Sequence, residues 1–197
     1  MILSFLTFKV QAQFLISPSL YYSSNGLTKT SYTHSSLGKG TLKNKGVGYA
    51  LNLKLGTSTS GFALGFLYSR QYVKFENETC PENWTTVCSA SNYYRWSNYF
   101  GGFIEYTLIG SLSLGATYLN PIELKEKADG RTLSFALGYK IAPFIRLFIG
   151  YNFLIKPSWY DSNGNPNDLP YTTLPGLSLD KVEGENAFVG LEFPIES

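Results

Sequence analysis

His34 is the only histidine of the chain, and it is the first side chain to consider for catalysis. It lies in Thr33-His34-Ser35-Ser36, where one residue separates the imidazole from the Ser36 hydroxyl. An imidazole beside a hydroxyl is the pair that activates a serine nucleophile. No carboxylate stands in an obvious place to orient the ring, so we interpret His34 as a solvated loop residue and predict no enzyme.

Asp161 begins a segment whose D-x-N-x-N spacing resembles the start of a calcium-binding loop. The sixth position is Pro166, where that loop needs glycine, and the twelfth is Thr172 instead of glutamate. A polar, turn-rich loop explains the segment better. With one His and two Cys, a zinc site would need several carboxylate ligands. The sequence therefore predicts neither a metal nor a cofactor.

Cys80 and Cys88 are the only two cysteines, and they lie close together in a loop-like segment. In an oxidising compartment, two cysteines at this spacing predict a disulfide that closes a small loop. Two free thiols are the alternative.

The composition is unusual for a soluble domain. Of 197 residues, 15% are charged and 16% are aromatic, with Tyr 15 and Phe 14. An ordinary soluble domain has about 25% charged residues. The net charge is +2, which gives no sign of a nucleic-acid-binding surface. Two classes remain: a β protein with an odd surface, or a β protein whose surface faces lipid.

The N-terminus has a short apolar stretch followed by Val10-Gln11-Ala12, a small-residue cleavage pattern. We interpret residues 1–12 as the remnant of a truncated secretory signal and residues 13–197 as one barrel domain. The alternative is a plain first strand from Ile2 to Val10.

Alternation of large apolar residues with small or polar ones is the dominant pattern. It is clearest at 46–56, where Val47, Tyr49 and Leu51 share one face. The same period predicts eight strands, at 14–22, 46–56, 62–69, 99–108, 112–118, 133–140, 145–153 and 187–193. Pro18 lies within the first strand and predicts a bulge or local distortion there, because proline removes a ladder hydrogen bond.

The predicted links alternate strictly between short and long. The short ones lie near 57–60, 109–110 and 141–143, and the long ones at 23–45, 76–92, 120–131 and 156–180. One end of the sheet therefore has turns and the other has loops, as in outer-membrane barrels. An even strand count places both termini at the turn end.

The face opposite the large apolar one consists mainly of Gly, Ala, Ser, Thr and Asn. Those residues suit the inside of a narrow barrel better than a water-facing exterior. The Leu, Phe, Ile and Tyr side chains then face outward, which is stable only in lipid. The prediction is an all-β, eight-stranded, antiparallel up-and-down transmembrane barrel. A soluble barrel or sandwich that oligomerises through its apolar face is the alternative.

In strand number and link lengths, residues 13–193 resemble the small eight-stranded outer-membrane barrels of Gram-negative bacteria, the OmpA and OmpX type. The resemblance is one of architecture, since no short motif is shared. Such barrels often end on an aromatic residue, whereas here Pro194-Ile195-Glu196-Ser197 follows Phe193. The family includes anchors, adhesins, evasion proteins and a few lipid-modifying enzymes, so the fold does not choose a function. Its deacylases use a His and Ser pair late in the chain on a strand, whereas His34 lies early.

Five charged residues share the inward parity of their strands and lie near the turn end: Lys54, Glu105, Lys140, Arg146 and Glu192. An unpaired charge inside a narrow barrel is costly, so we expect these residues to form an ion-pair network. We expect Arg146 to be its hub, because a guanidinium can bind two acceptors. The alternative is separate charges that reach water with little coupling.

The sequence therefore predicts a structural or surface-interaction barrel of the bacterial outer membrane, with periplasmic termini and extracellular loops. A narrow channel and a lipid-modifying enzyme are the alternatives. The expected partners are outer-membrane lipid, lipopolysaccharide and an extracellular ligand bound by the loops, with no nucleic acid. We expect a monomer.

Overall fold

The computed structural model describes residues 12–36, 38–59, 61–79, 93–122, 131–156 and 177–196. Within these ranges every regular element is a β-strand. Among the same residues there is no helix with the length and apolarity needed to cross a membrane.

The strands are long, and they follow one another along the chain with few residues between them at one end. Their bounds are β1 Gln13–His34, β2 Gly38–Thr59, β3 Phe62–Thr79, β4 Tyr93–Ile109, β5 Leu112–Pro121, β6 Arg131–Ala142, β7 Ile145–Lys156, β8 Leu177–Glu192 and β9 Ile195–Glu196.

Each strand from β1 to β8 pairs antiparallel with the next, and β8 pairs with β1. This last pairing closes the sheet into a barrel. The two-residue β9 pairs with Leu15 and Ile16, so it continues the line of β8 along β1. The prediction of an eight-stranded antiparallel up-and-down barrel is confirmed.

Side chains alternate between the two faces along every strand, as the period of two requires. In β2, Tyr49 and Leu51 are exposed, whereas Ala50 between them is completely buried. The exposed set includes large apolar residues from all eight long strands, for example Leu20, Leu51, Phe66, Ile104, Leu114, Phe135, Ile149 and Val189. An apolar exterior of this extent suits a barrel that spans a lipid bilayer.

The three short links are tight turns, as predicted. The β2–β3 and β4–β5 turns contain Gly61 and Gly110, whose φ angles are 87° and 58°. That region of backbone conformation favours glycine, because it lacks a Cβ atom. Gln13 pairs with Ser58 beside the first of these turns, so both ends of the described chain lie at the turn end.

The prediction of a long loop at 23–45 is wrong. These residues extend β1 and β2 into a continuous hairpin, in which Leu27 to His34 pair with Lys45 to Gly38. A register shift between Ser23 and Gly26 marks where the extension begins. The segment lacks apolar alternation because it lies beyond the apolar part of the barrel wall. Its backbone still forms the antiparallel pairing of β1 with β2. β8 extends with it, from Leu177 to Glu185.

The sequence predicts a bulge or local distortion at Pro18; β1 has no bulge there, and the distortion lies in the neighbouring strand instead. Pro18 pairs with Leu53 in an unbroken register with β2. On the other side of β1, regular pairing is interrupted between the end of β8 and the start of β9. There the Phe193 amide donates a hydrogen bond to the Pro18 carbonyl. The missing proline amide therefore falls where the neighbouring strand is interrupted, so β1 needs no bulge.

Several sequence predictions lie outside the described residues. They are the signal remnant, apart from Ala12, the disulfide between Cys80 and Cys88, and the calcium-like segment at 161–172.

Candidate functional site

A closed ring of four charges lies in the lumen near the turn end, and we call it the charge cycle: Lys54, Glu105, Arg146 and Glu192. The four side chains come from β2, β4, β7 and β8. Strands from around the whole barrel supply them, and the inward parity of each strand aims them at the same point.

Each cation of the cycle contacts both carboxylates. Lys54 Nζ lies 2.7 Å from Glu105 Oε1 and 2.8 Å from Glu192 Oε1. Arg146 Nη1 lies 3.1 Å from Glu105 Oε1 and 3.3 Å from Glu192 Oε2. Two positive and two negative groups alternate around the cycle, so its formal charge is zero.

The surroundings of the cycle satisfy it further. Ser17 donates a hydrogen bond of 2.8 Å to Glu192, whose side chain is 2% exposed. Lys54 Nζ also lies 5.3 Å from the centre of the Phe103 ring. Because all four charges are largely withdrawn from water, removal of one partner would leave an uncompensated charge.

The structure brings together four of the five inward charges named from the sequence. Lys140 is the exception: it is exposed and takes no part in the four ion pairs. It pairs in register with Arg146 but lies beside the turn, where it lines a cavity of about 390 Å³ at the turn end of the lumen. Water screens a charge in such an open place, so Lys140 needs no partner.

Arg146 is not the single hub of the cycle. It reaches both carboxylates through the same nitrogen, Nη1, so its planar fork is not used. Lys54 makes the same number of ion pairs at shorter distances.

Glycines on the neighbouring strands provide the space that these long side chains need. A Cβ atom at Gly115 would lie 3.3 Å from Glu105 Cγ, and one at Gly138 would lie 2.8 Å from Arg146 Cδ. Gly115 is also the register partner of Glu105. The small residues of the inward face therefore make room for large ones on the adjacent strand.

Three aromatic rings fill the lumen on the loop side of the charge cycle, and we call them the ring layer: Tyr21, Phe148 and Phe188. The Phe188 ring centre lies 5.1 Å from that of Tyr21 and 5.8 Å from that of Phe148. Both phenylalanines lie against glycines. A Cβ atom at Gly190 would collide with the Phe148 ring, and one at Gly150 would collide with the Phe188 ring. Tyr21 is hydrogen-bonded to Asn152, and Asn152 donates a hydrogen bond of 2.6 Å to Asn186.

A second apolar group fills the other side of the lumen. It consists of five buried residues that pack together: Leu15, Leu67, Tyr99, Phe103 and Leu119. Register places Leu67 and Leu119 against Gly101, and Phe103 against Gly65. The lumen is therefore filled by large side chains, most of which lie opposite a glycine of the next strand; Tyr99 is an exception, since its register partners are Ser69 and Pro121.

A cavity of about 50 Å³ lies between the charge cycle and the ring layer. Its lining includes Lys54, Glu105 and Arg146 from the cycle and Phe148 and Phe188 from the ring layer. A volume of this size holds one or two water molecules but no continuous aqueous path. This arrangement narrows the lumen at the level of the two layers.

Sequence reasoning missed the apolar part of this filling. The inward residues were interpreted as a small set that suits a narrow barrel, although Leu67, Phe103, Phe148 and Phe188 have inward parity too. The signal that could have revealed them is the pairing of an inward aromatic residue with a glycine across the ladder. That pairing requires the register, which period alone does not give.

His34 is the last residue of β1, where it pairs with Gly38 of β2 and Leu177 of β8 at the loop end of the ladder. The Ser36 hydroxyl lies 3.1 Å from its Nδ1 atom, and the Ser36 amide donates to the same atom at 3.2 Å. A hydrogen bond between residues two apart is a local turn contact. Among the described residues no group of three or more His, Cys, Asp or Glu side chains could hold a metal ion.

Comparisons with known proteins give structural likeness without a sequence family. No protein-family model and no curated protein matches the chain. The crystal structure of Neisserial surface protein A is similar at 13% identity and a TM-score of 0.38, over 93% of this chain and 98% of that chain. The Pseudomonas putida toluene transporter TodX is similar at 8% identity and a TM-score of 0.29, over 94% of this chain and 90% of that one. The class of this chain is defined by its own strand pairing and exterior: a closed, eight-stranded antiparallel β-barrel with an apolar outer face.

Proposed function

We propose that this protein is a sealed β-barrel of the bacterial outer membrane with a structural or surface-interaction role. The filled lumen is the observation that carries the proposal. The charge cycle and the two apolar groups leave a cavity of about 50 Å³, so the lumen offers no route for a solute. A barrel without a conduit acts through its outer wall and its loop end.

The outer membrane is the proposed location because the exterior is apolar and both ends of the described chain lie at the turn end. Closed barrels with short turns at one end and longer links at the other are typical of that membrane. The termini and turns are proposed to be periplasmic. The long links and the extended β1–β2 hairpin are proposed to be extracellular.

The extended hairpin is the proposed interaction element. Residues 27–34 and 38–45 continue the barrel ladder and are flanked by residues 177–185 of β8. A strand paired on both sides has a fixed backbone, which lowers the entropic cost of binding. The partner proposed for this surface is an extracellular ligand, while lipid and lipopolysaccharide surround the wall. We propose that the protein is a monomer and not an enzyme, and that it belongs to the OmpA and OmpX type of small barrel.

Fractionation and surface labelling test this proposal together. The protein should sediment with outer membrane, and unboiled and boiled samples should migrate differently in SDS gels. A single cysteine at Lys39, in a Cys80→Ser/Cys88→Ser background, should react with a membrane-impermeant maleimide on whole cells. A matched cysteine at Lys140, beside a turn, should not react until the outer membrane is opened. A soluble, detergent-free monomer, or labelling only of the Lys140 position, would contradict the proposal.

A further inference from the structure

Four cations on β2 and β3 form a patch on the outer wall: Lys43, Lys45, Arg70 and Lys74. All four side chains are exposed. Lys43 and Lys45 continue the outward parity of Tyr49, and Arg70 and Lys74 have the same parity as Tyr72. We call these four residues the cationic patch.

Aromatic side chains mark the level at which the cationic patch begins. Tyr22, Tyr49, Tyr72 and Trp96 form a row across β1 to β4, with ring centres 5.4, 6.2 and 5.2 Å apart in turn. An outward aromatic row of this kind is typical of the interface between hydrocarbon and headgroups. The exterior on its turn side is apolar, with Leu51, Leu53 and Phe66 exposed.

The lysines lie on the loop side of this aromatic row. Lys74 is two residues beyond Tyr72, and Lys45 and Lys43 are four and six residues beyond Tyr49. At about 3.3 Å per residue they begin roughly 7 to 20 Å along their strands from the row. This is the depth that lipid headgroups occupy.

Arg70 approaches the same level from the apolar side. Its Cα lies two residues on the turn side of Tyr72, but its guanidinium lies 5.0 Å from the centre of the Trp96 ring. Trp96 is the register partner of Tyr72, so the side chain reaches toward the aromatic row. Long basic side chains near a membrane interface extend in this way to bring their charge to the headgroups.

Basic residues outnumber acidic ones in and beside the patch. By register Lys29 lies opposite Lys43, and Glu76 lies opposite Lys45, so five of these six residues, counting Arg70 and Lys74, are basic. On the far side of β1, Glu183 and Glu185 of β8 pair in register with Lys29 and Leu27. A net cationic area at headgroup depth fits an anionic lipid.

We propose that the cationic patch binds the phosphate groups of an outer-leaflet glycolipid headgroup. The inference rests on the proposed outer-membrane location, and it names the residues that hold the lipid. The acyl chains would lie along the exposed wall of β2 and β3, while lysine and arginine groups contact the phosphates above. Phosphate is the chemistry that clustered lysine and arginine recognise best.

A titration with purified, refolded protein in zwitterionic detergent tests the proposal. The probes are bisphosphorylated lipid A, its dephosphorylated form and inorganic phosphate. Lys45→Gln/Lys74→Gln should weaken binding of the phosphorylated lipid by about 30-fold, since each interfacial cation contributes roughly a fivefold factor. Lys39→Gln/Lys140→Gln removes the same charge from the hairpin tip and a turn, and should bind like the wild type.

Three results would overturn the proposal. One is equal affinity for the phosphorylated and dephosphorylated lipids, and another is equal loss in both double variants. The third is inorganic phosphate binding as tightly as the lipid, which would assign the patch to free phosphate. Heat-modifiable migration of every variant shows whether the barrel is intact. Any of these three results, obtained with barrels that migrate normally, therefore contradicts the lipid site without contradicting the proposed location.

Discussion

The charge cycle and the ring layer fill the same lumen with opposite chemistry. Near the turn end, four charges neutralise one another through ion pairs of 2.7 to 3.3 Å. On the loop side, Tyr21, Phe148 and Phe188 pack ring against ring. The cycle requires every member to be present, whereas the ring layer gains from each contact separately. The two regions should therefore respond differently to the loss of one side chain.

The largest effect should follow removal of one cation from the cycle. Arg146→Ala leaves Glu105 and Glu192 sharing Lys54 alone, so one buried negative charge is uncompensated. We expect the free energy of unfolding to fall by about 3–5 kcal/mol, measured by urea titration in lipid vesicles. Lys140→Ala, its register neighbour outside the cycle, should change the same quantity by about 0.5 kcal/mol or less. Equal stability of Arg146→Ala and wild type would contradict the coupling.

Truncation of the central ring should be the next largest effect. Phe188 contacts both other rings, so Phe188→Ala removes two aromatic contacts and leaves a cavity. We expect a loss of about 3 kcal/mol in the same titration. Phe144→Ala, at an exposed turn, is the control and should cost about 1 kcal/mol or less. If the two variants lose the same amount, the ring layer is not a packed core.

A methyl group added under a ring should be smaller but still measurable. Gly190→Ala places a Cβ atom against Phe148 and the Leu20 carbonyl, so the wall or the ring must shift. We expect a cost of about 1–3 kcal/mol. At Gly102 the nearest atom to an added Cβ lies 3.5 Å away, so Gly102→Ala should be close to neutral. A neutral Gly190→Ala would show that the lumen is looser than described.

Removal of an opposite pair from the cycle should cost less than removal of Arg146 alone. Arg146→Met/Glu105→Gln keeps the 2.8 Å pair between Lys54 and Glu192 and leaves no net charge. We expect the double variant to lose about 1–2 kcal/mol, below the single variant. A double variant less stable than Arg146→Ala would mean that packing, and not charge balance, dominates the cycle.

The smallest effect on the barrel should come from Cys80 and Cys88, which belong to neither the charge cycle nor the ring layer. If they form a disulfide, mass spectrometry of unreduced protein should show a deficit of two hydrogen atoms. Cys80→Ser/Cys88→Ser should leave heat-modifiable migration unchanged, because the strands do not depend on the bond. Rapid alkylation of both thiols in folded, unreduced protein would contradict the pairing.

The barrel fold was predictable from the sequence, because the alternating pattern occurs in eight segments. A wrong boundary for one strand does not change the predicted fold class. Lys54, Glu105, Arg146 and Glu192 were placed in one cluster by parity and distance from a turn alone. Parity could not separate Lys140 from them, since the exposure of a residue beside a turn depends on how the lumen opens. The hairpin at 27–45 was missed because its ladder is formed by backbone groups, which polar side chains do not reveal. The ring layer was missed because each ring needs a particular glycine opposite it, and only the register supplies that.

Conductance across planar bilayers tests the sealed lumen most directly. Wild-type protein, inserted in numbers verified by heat-modifiable migration, should give no steady current, while a wide-lumen porin in the same bilayers confirms detection. Phe188→Ala and Arg146→Ala should show increased leakage, because each removes part of the filling. A steady unitary current from the wild-type barrel would contradict the sealed lumen and replace the structural role with a channel.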